Sequence, residues 1–181
     1  MITPTPKTIV IVGGVAGGAS CATRLRRMDE SAEIIVIERG PYASFANCGL
    51  PYHIGGVIAD EDQLLVAKGP IFKERFGIVV RTRHEVTAID RAAKEVEIRD
   101  LAENRIYRQR YDALVLAPGA APLRPPLPGI DLPGIFTLRN IPDTRSIKQW
   151  IFQHSAKTAV IVGGGFIGLE MAENLKHLGS M

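Results

Sequence analysis

The chain has 181 residues, 46% hydrophobic and 23% charged, and 22 Lys and Arg against 19 Asp and Glu give a net charge of +3. That is the balance of an α/β chain able to bury a core, with length for one ordinary domain or one and part of another. The basic excess is too small and dispersed for a nucleic-acid or membrane surface, no run reaches the ~18 apolar residues of a membrane span, and two cysteines make neither a disulfide scaffold nor a four-ligand zinc site. Prolines between Met1 and Lys7 stand where a signal peptide keeps its apolar core, so a cytoplasmic protein is expected.

In chain order, Lys7 to Val12 is a short β-branched run, which suits a strand buried on both faces of a parallel sheet. A glycine turn follows and leads into a helix with an apolar stripe. Ile34 to Glu38 (IIVIE) reads as a second buried strand, and residues 42–56 as loop and turn. Ile71 to Phe76 predicts one or two helical turns before a strand at Ile78 to Arg81. Glu85 to Ile89 and Glu95 to Ile98 alternate around Asp90-Arg91 as a half-exposed antiparallel pair. Ala113 to Ala117 is another buried strand. Pro118 to Pro133 holds six prolines, which excludes a helix or a central strand and leaves a surface connector. Asp143 to Gln153 is expected to be a helix.

After it the opening of the chain recurs. Lys7 to Leu25 reads KTIVIVGGVAGGASCATRL, and Lys157 to Leu175 reads KTAVIVGGGFIGLEMAENL, 150 residues on. Each copy predicts strand, glycine turn and helix, the opening of a dinucleotide-binding βαβ unit. Only 25 residues remain from Lys157, fewer than the ~30 such a unit needs. The second unit is therefore read as incomplete, and the chain as a piece of a longer protein rather than a shortened relative.

In the second loop Gly163, Gly165 and Gly168 satisfy G-x-G-x-x-G in full. The first glycine permits the tight turn, the second a close approach of pyrophosphate to backbone, and the third close packing of helix on strand. Phosphate then rests on the N–H groups of the helix N-terminus. The first loop keeps Gly13 and Gly18 outermost, with Val15 at the middle position and Gly14 and Gly17 beside it. Glu38 ends the second strand, where an acid binds the hydroxyls of an unphosphorylated adenosine ribose, as in FAD or NAD. The matching acid of the second unit would lie beyond Met181, so the nicotinamide is written NAD(P)H.

Cys48 lies in the run Ser44-Phe45-Ala46-Asn47-Cys48-Gly49-Leu50-Pro51-Tyr52-His53. Gly49 is expected to let a ligand approach the sulfur. If Asn47 caps a short helix over Leu50 to Ile54, the thiol sits at a helix N-terminus, an environment that favours thiolate. The plain alternative is a buried, inert cysteine, the reading that fits Cys21 inside the first helix. No second cysteine follows Cys48 closely, so a redox role needs an external thiol, a persulfide or a sulfenic acid as partner. The histidines show no metal spacing, and only His53 is near the cysteine.

The run S-F-A-N-C-G-L-P-Y-H-I-G-G, the loop V-G-G-V-A-G-G-A, the stretch L-A-P-G-A-x-P from Leu116 to Pro122 and the loop G-G-G-F-I-G-L-E together resemble the single-cysteine branch of the FAD-dependent pyridine-nucleotide disulfide oxidoreductases. Coenzyme A-disulfide reductases and persulfide reductases are the members most similar, and the likeness runs from about Lys7 to Gly179. It implies a Rossmann-like FAD-binding domain with a small antiparallel β insertion, residues 1–145, followed by the start of a second Rossmann-like NAD(P)H-binding unit, residues 146–181. It also implies a C-terminal dimer domain, hence a homodimer. By resemblance Gly13, Gly14, Ala16, Gly17, Glu38 and Arg39 hold FAD, with Asn47 and Cys48 near its ring and Val86 near its adenine. Ala117, Pro118 and Gly119 match a second flavin-contacting turn, and Arg139 lies in the matching L-R-N segment. Arg24, Arg27 and Ser44 match positions that contact coenzyme A, although the two arginines equally suit a solvated helix face.

One departure separates branches. Peroxide-reducing relatives carry a histidine in the first loop where this chain has Ala16, which favours disulfide or persulfide chemistry. The expected activity is NAD(P)H-dependent reduction of a small-molecule coenzyme A disulfide or persulfide through Cys48, without metal, nucleic acid or membrane. An NADH oxidase cycling Cys48 through sulfenic acid, and a nucleotide-binding fragment without turnover, are the alternatives.

Overall fold

The computed structural model describes residues 5–179, so the Met1 to Pro4 part of the proline-bearing start lies outside the described residues. The chain divides into two compact units. One comprises the chain up to Phe45 together with Leu65–Gly119, and the other comprises Ala46–Leu64 together with the chain from Ala120 onward. The expected division at 145/146 follows a different line and falls inside a helix.

In the first unit, β1 (Thr8–Val12), β2 (Glu33–Glu38), β3 (Val79–Thr82) and β7 (Ala113–Leu116) form a parallel sheet in the order β3-β2-β1-β7. Successive residues of β1 face opposite ways, as strand geometry requires. Ile9 and Ile11 pack with Ala19 and Ala22 of α1 (Gly17–Met28) and Phe72 of α3 (Gly69–Phe76). Val10 packs with Ile35, Ile37, Val96 and Ile98 on the other face. That second layer is an antiparallel sheet of β4 (His84–Asp90), β5 (Glu95–Asp100) and β6 (Arg105–Arg110). Both faces of the parallel sheet are covered, which is why its strands read as unbroken apolar runs. The α/β class with a small antiparallel insertion is as expected, and β6 is a third strand that the alternation did not reveal.

In the second unit, α2 (Leu50–Ile54), α4 (Ile141–Gln153) and α5 (Phe166–His177) pack through Ile54, Ile147 and Leu175. The start of α4 is set by a capping box. The Asn140 side chain accepts from the Asp143 N–H at 2.9 Å, and the Asp143 carboxylate accepts from the Asn140 N–H at 3.1 Å. The second copy of the opening motif departs from expectation. Thr158 to Val162 forms no ladder, and Val160 and Val162 are 86% and 96% exposed. A parallel strand exists only through its neighbours' hydrogen bonds, and among the described residues none lies alongside this run.

Candidate active site

The first glycine turn is built by the pairing of β1 with β7, which brings together residues about a hundred positions apart. Gly13 has φ +94°, and a Cβ there would collide with the carbonyl oxygen of Ala117. A Cβ on Gly18 would collide with the carbonyl oxygen of Gly13, so α1 starts hard against the turn. The Ala117 N–H donates to Val12 O at 2.8 Å, and Gly119 has φ +70°. Gly13, Gly14, Ala16, Gly17, Ala117, Pro118 and Gly119 thus gather at the carboxyl ends of β1 and β7, where open α/β sheets bind ligands.

Glu38 ends β2 at the same edge. Its carboxylate accepts from the Gly14 N–H at 2.7 Å and the Gly40 N–H at 2.6 Å. Two charge-assisted bonds fix it and still leave lone pairs for another donor. The N-terminus of α1 has no capping side chain and no acid in its first turn, and Ala16 and Gly17 are exposed. Its free N–H groups, the bare glycine turn and the fixed carboxylate are the donor and acceptor set that a dinucleotide pyrophosphate and ribose require.

Other expected residues of this unit are placed as follows. Arg39 lies 3.6 Å from Glu85, and Val86 borders the core beside a β-bulge in the β4–β5 pairing. Arg24 and Arg27 are exposed on α1. Ser44 is buried with φ +50°, its N–H donating to Gly14 O at 2.9 Å and its carbonyl accepting from Val66 at 2.8 Å.

The second unit holds Asn47, Cys48, Arg139 and the second glycine loop. Asn47–Gly49 form a 3-10 turn running straight into α2, and Cys48 is an exposed residue with a free thiol. Cys21 instead packs against the core of its own unit. One expectation needs correction. No side-chain cap from Asn47 starts α2, because Asn47 is itself the first residue of the 3-10 turn, and its carbonyl accepts from the Leu50 N–H. Gly49 is crowded from within the fold: a Cβ would lie 2.8 Å from Leu64 Cδ2 and 3.2 Å from Ile58 Cδ1. Arg139 is tied to the connector, its Nε donating to Ala120 O at 2.8 Å.

The second glycine loop shares with the first turn a left-handed first glycine and a helix start packed on that glycine's carbonyl. Gly163 has φ +112°, and a Cβ on Gly168 would collide with the carbonyl oxygen of Gly163 and lie 3.2 Å from Ile161 Cγ2, as one on Gly18 would lie 3.2 Å from Ile11 Cγ2. Open space surrounds Gly163, Gly164 and Gly165, and α5 starts with no capping side chain. Sequence reasoning missed the contact of α5 with α2: Asn174 is 2% exposed, and a Cβ on Gly55 would lie 2.6 Å from its Oδ1. The doubled glycine of H-I-G-G was the available signal.

Two helix N-termini without side-chain caps each follow a glycine turn, an arrangement that suits a dinucleotide pyrophosphate, and an exposed cysteine lies in the unit of the second turn. The sequence matches the pyridine nucleotide-disulphide oxidoreductases over residues 7–181, and the chain belongs to that family. It is 44% identical over 169 residues to a coenzyme A disulfide reductase of Staphylococcus haemolyticus, covering 93% of this chain and 38% of that protein. The structure of reduced Bacillus anthracis CoADR-RHD is similar with a TM-score of 0.94 and 50% identity, over 96% of this chain and 31% of that one. A NAD-dependent persulfide reductase from A. fulgidus is similar with a TM-score of 0.90 and 40% identity, over 95% of this chain and 32% of that one. The chain thus spans about a third of the length of these relatives. Among the described residues no helix is long and apolar enough to cross a membrane.

Proposed function

We propose that the chain is the FAD-binding portion, and the beginning of the nicotinamide-binding portion, of an NAD(P)H-dependent reductase of coenzyme A disulfide or persulfide that works through Cys48. The reading rests most heavily on the exposure of Cys48 at the surface of a turn fixed from below. Names of the relatives supply the substrate class. Residues 1–145 and 146–181 divide the chain by ligand, while its packing divides it elsewhere. A cytoplasmic homodimer is the assembly proposed for the full-length protein.

Gly13, Gly14, Ala16 and Gly17 would take the FAD pyrophosphate on backbone N–H groups, and Glu38 the adenosine ribose hydroxyls. Arg39, Val86, Ala117, Pro118, Gly119, Arg139 and Asn47 complete the proposed flavin contacts. Gly163, Gly165 and Gly168 would receive the NAD(P)H pyrophosphate in the same way, and Arg24, Arg27 and Ser44 the coenzyme A. When bound, FAD would supply the two-electron relay from the nicotinamide to sulfur. The Cys48 thiolate attacks one sulfur of the substrate, an S–S bond forms to Cys48 as the substrate's own S–S bond breaks, and the leaving thiolate takes a proton. Two electrons and a proton, supplied by NAD(P)H, then return the mixed disulfide to the Cys48 thiolate and a free thiol.

Cys48→Ser in the holoenzyme is expected to retain its flavin and lose NAD(P)H-dependent reduction of coenzyme A disulfide and of a persulfide. Undiminished turnover in that variant would falsify the proposal. Oxygen-dependent NADH consumption without any disulfide would favour the sulfenic-acid oxidase, and a colourless 181-residue chain without bound flavin the non-catalytic fragment.

A further inference from the structure

His53, five residues after Cys48 in α2, is 4% exposed and has both ring nitrogens engaged. Nδ1 lies 2.8 Å from the carbonyl oxygen of Ile58. A carbonyl can only accept, so Nδ1 carries the proton and Nε2 presents a lone pair. The Lys148 ammonium on α4 donates to that lone pair across 3.3 Å. Both ring nitrogens are thus engaged within the fold, which suits a role in supporting the chain around it.

The Ile58 anchor lies directly under the cysteine turn. Ile58 and Leu64 are the two side chains that crowd Gly49, the residue after Cys48. Ile58 N–H also donates to Tyr52 O at 3.1 Å, so the chain from α2 folds back beneath the turn. Leu64 O accepts from the Ala46 N–H at 2.8 Å, at the turn's other end. Arg145, one helical turn before Lys148, pairs with Glu61 through Nε at 2.7 Å and holds the segment carrying Leu64. Two cationic side chains of α4 therefore fasten the two supports of the Cys48 turn.

We propose that His53, fixed as the Nδ1–H tautomer by Lys148, is a positioning residue for Cys48, holding Ile58 against Gly49 so that the sulfur keeps one presentation. The role rests on the redox reading of Cys48 given above. It acts through the support of the turn and not through contact with substrate.

The test measures carbamidomethylation of Cys48, resolved from Cys21 by peptide mass, in the FAD-loaded holoprotein from about pH 5 to 9, with a synthetic Ser44–His53 peptide as the unpositioned reference. The wild type is expected to differ from the peptide in its rate profile, and His53→Leu to move onto the peptide's profile. His53→Asn, which keeps an N–H for Ile58 O, is expected to restore the wild-type profile. Lys148→Met, which leaves the buried ring in place, is expected to shift part of the way and decides the matter if His53→Leu does not fold. In turnover, His53→Leu is expected to lose about tenfold to a hundredfold in kcat with KM for the disulfide unchanged. A wild-type profile equal to the peptide's, a wild-type profile in His53→Leu or in Lys148→Met, or failure of His53→Asn to rescue overturns the role. Turnover that survives Cys48→Ser ends the redox reading alone, and the alkylation profiles then decide positioning by themselves.

Discussion

Removal of the Glu38 carboxylate leaves the N–H groups of Gly14 and Gly40 without their acceptors, and Gly14 is buried. Orphaning a buried donor costs about 1–3 kcal/mol. Glu38→Ala is therefore expected to lower the unfolding free energy of the holoprotein by roughly that amount, read by urea titration, and to weaken retention of an adenosine dinucleotide. Glu38→Gln keeps one acceptor oxygen and should fall between. Equal stability of all three proteins would mean that these backbone bonds contribute nothing net. The position of Glu38 at the strand end is legible in the sequence because strand and spacing both fix it. The role of Gly49 is not, because a glycine shows only that a side chain is unwelcome. The side chains that crowd it, Ile58 and Leu64, come from chain 9 and 15 residues further on. The missing cap of Asn47 has a similar origin: the 3-10 turn starts one residue earlier than a capped helix would allow.

At the scale of elements, the parallel strands announce themselves by apolar runs, whereas β6 (RIYRQR) hides. Among the described residues it pairs with β5 alone, at the edge of the small sheet, and its Arg108 and Arg110 reach Glu95 at 3.6 and 3.7 Å. Charge on an edge strand guards against pairing with other chains and erases the alternation that marks a strand. The turn before it is organised by Asp100, whose carboxylate accepts from the Ala102 and Glu103 N–H groups at 2.9 and 3.2 Å and faces His84 and Arg105. The Glu103 N–H above all, then the Ala102 N–H with His84 and Arg105 nearby, hold the Asp100 carboxyl below its ordinary 3.8 despite the opposing effect of burial. A lowered folded-state value means that the charged form stabilises the fold above the ordinary carboxyl range, and that this contribution fades as pH falls through the lowered value. Asp100→Asn keeps an oxygen for the turn but loses the charge. The gap in thermal midpoint between wild type and Asp100→Asn is thus expected to be widest near neutral pH and to close on acidification below 3.8. A gap that stays constant through that range would show that the Asp100 charge is not linked to folding.

At the scale of the whole chain, the two copies of one motif form a controlled comparison. Val10 to Gly14 and Val160 to Gly164 share the sequence V-I-V-G-G, and both turns reach a left-handed first glycine and a helix start packed on its carbonyl. Their strands nevertheless differ completely. Ile9 to Val12 is hydrogen-bonded to β2 on one side and β7 on the other, and Val10 is fully buried. Val160 and Val162 are almost wholly exposed with no ladder at all. The left-handed glycine and the helix start packed on it recur within the motif itself, while the strand, like the approach of Ala117 O to Gly13 in the first copy, depends on partners supplied from elsewhere in a chain. This is why the turns were legible in both copies and the strand in only one. Amide hydrogen exchange on the 181-residue chain turns the contrast into a measurement. The amides of Val10 and Ile11 are expected to exchange at least about a thousandfold more slowly than those of Val160 and Ile161, since only the former must await opening of a packed sheet. In the full-length protein the second set is expected to gain protection of the same order, because a continued nucleotide unit would lay strands beside it. Matching protection of both sets in the 181-residue chain would mean that this run finds a partner without any further chain, and the dependence of the second strand on added sequence would have to be abandoned.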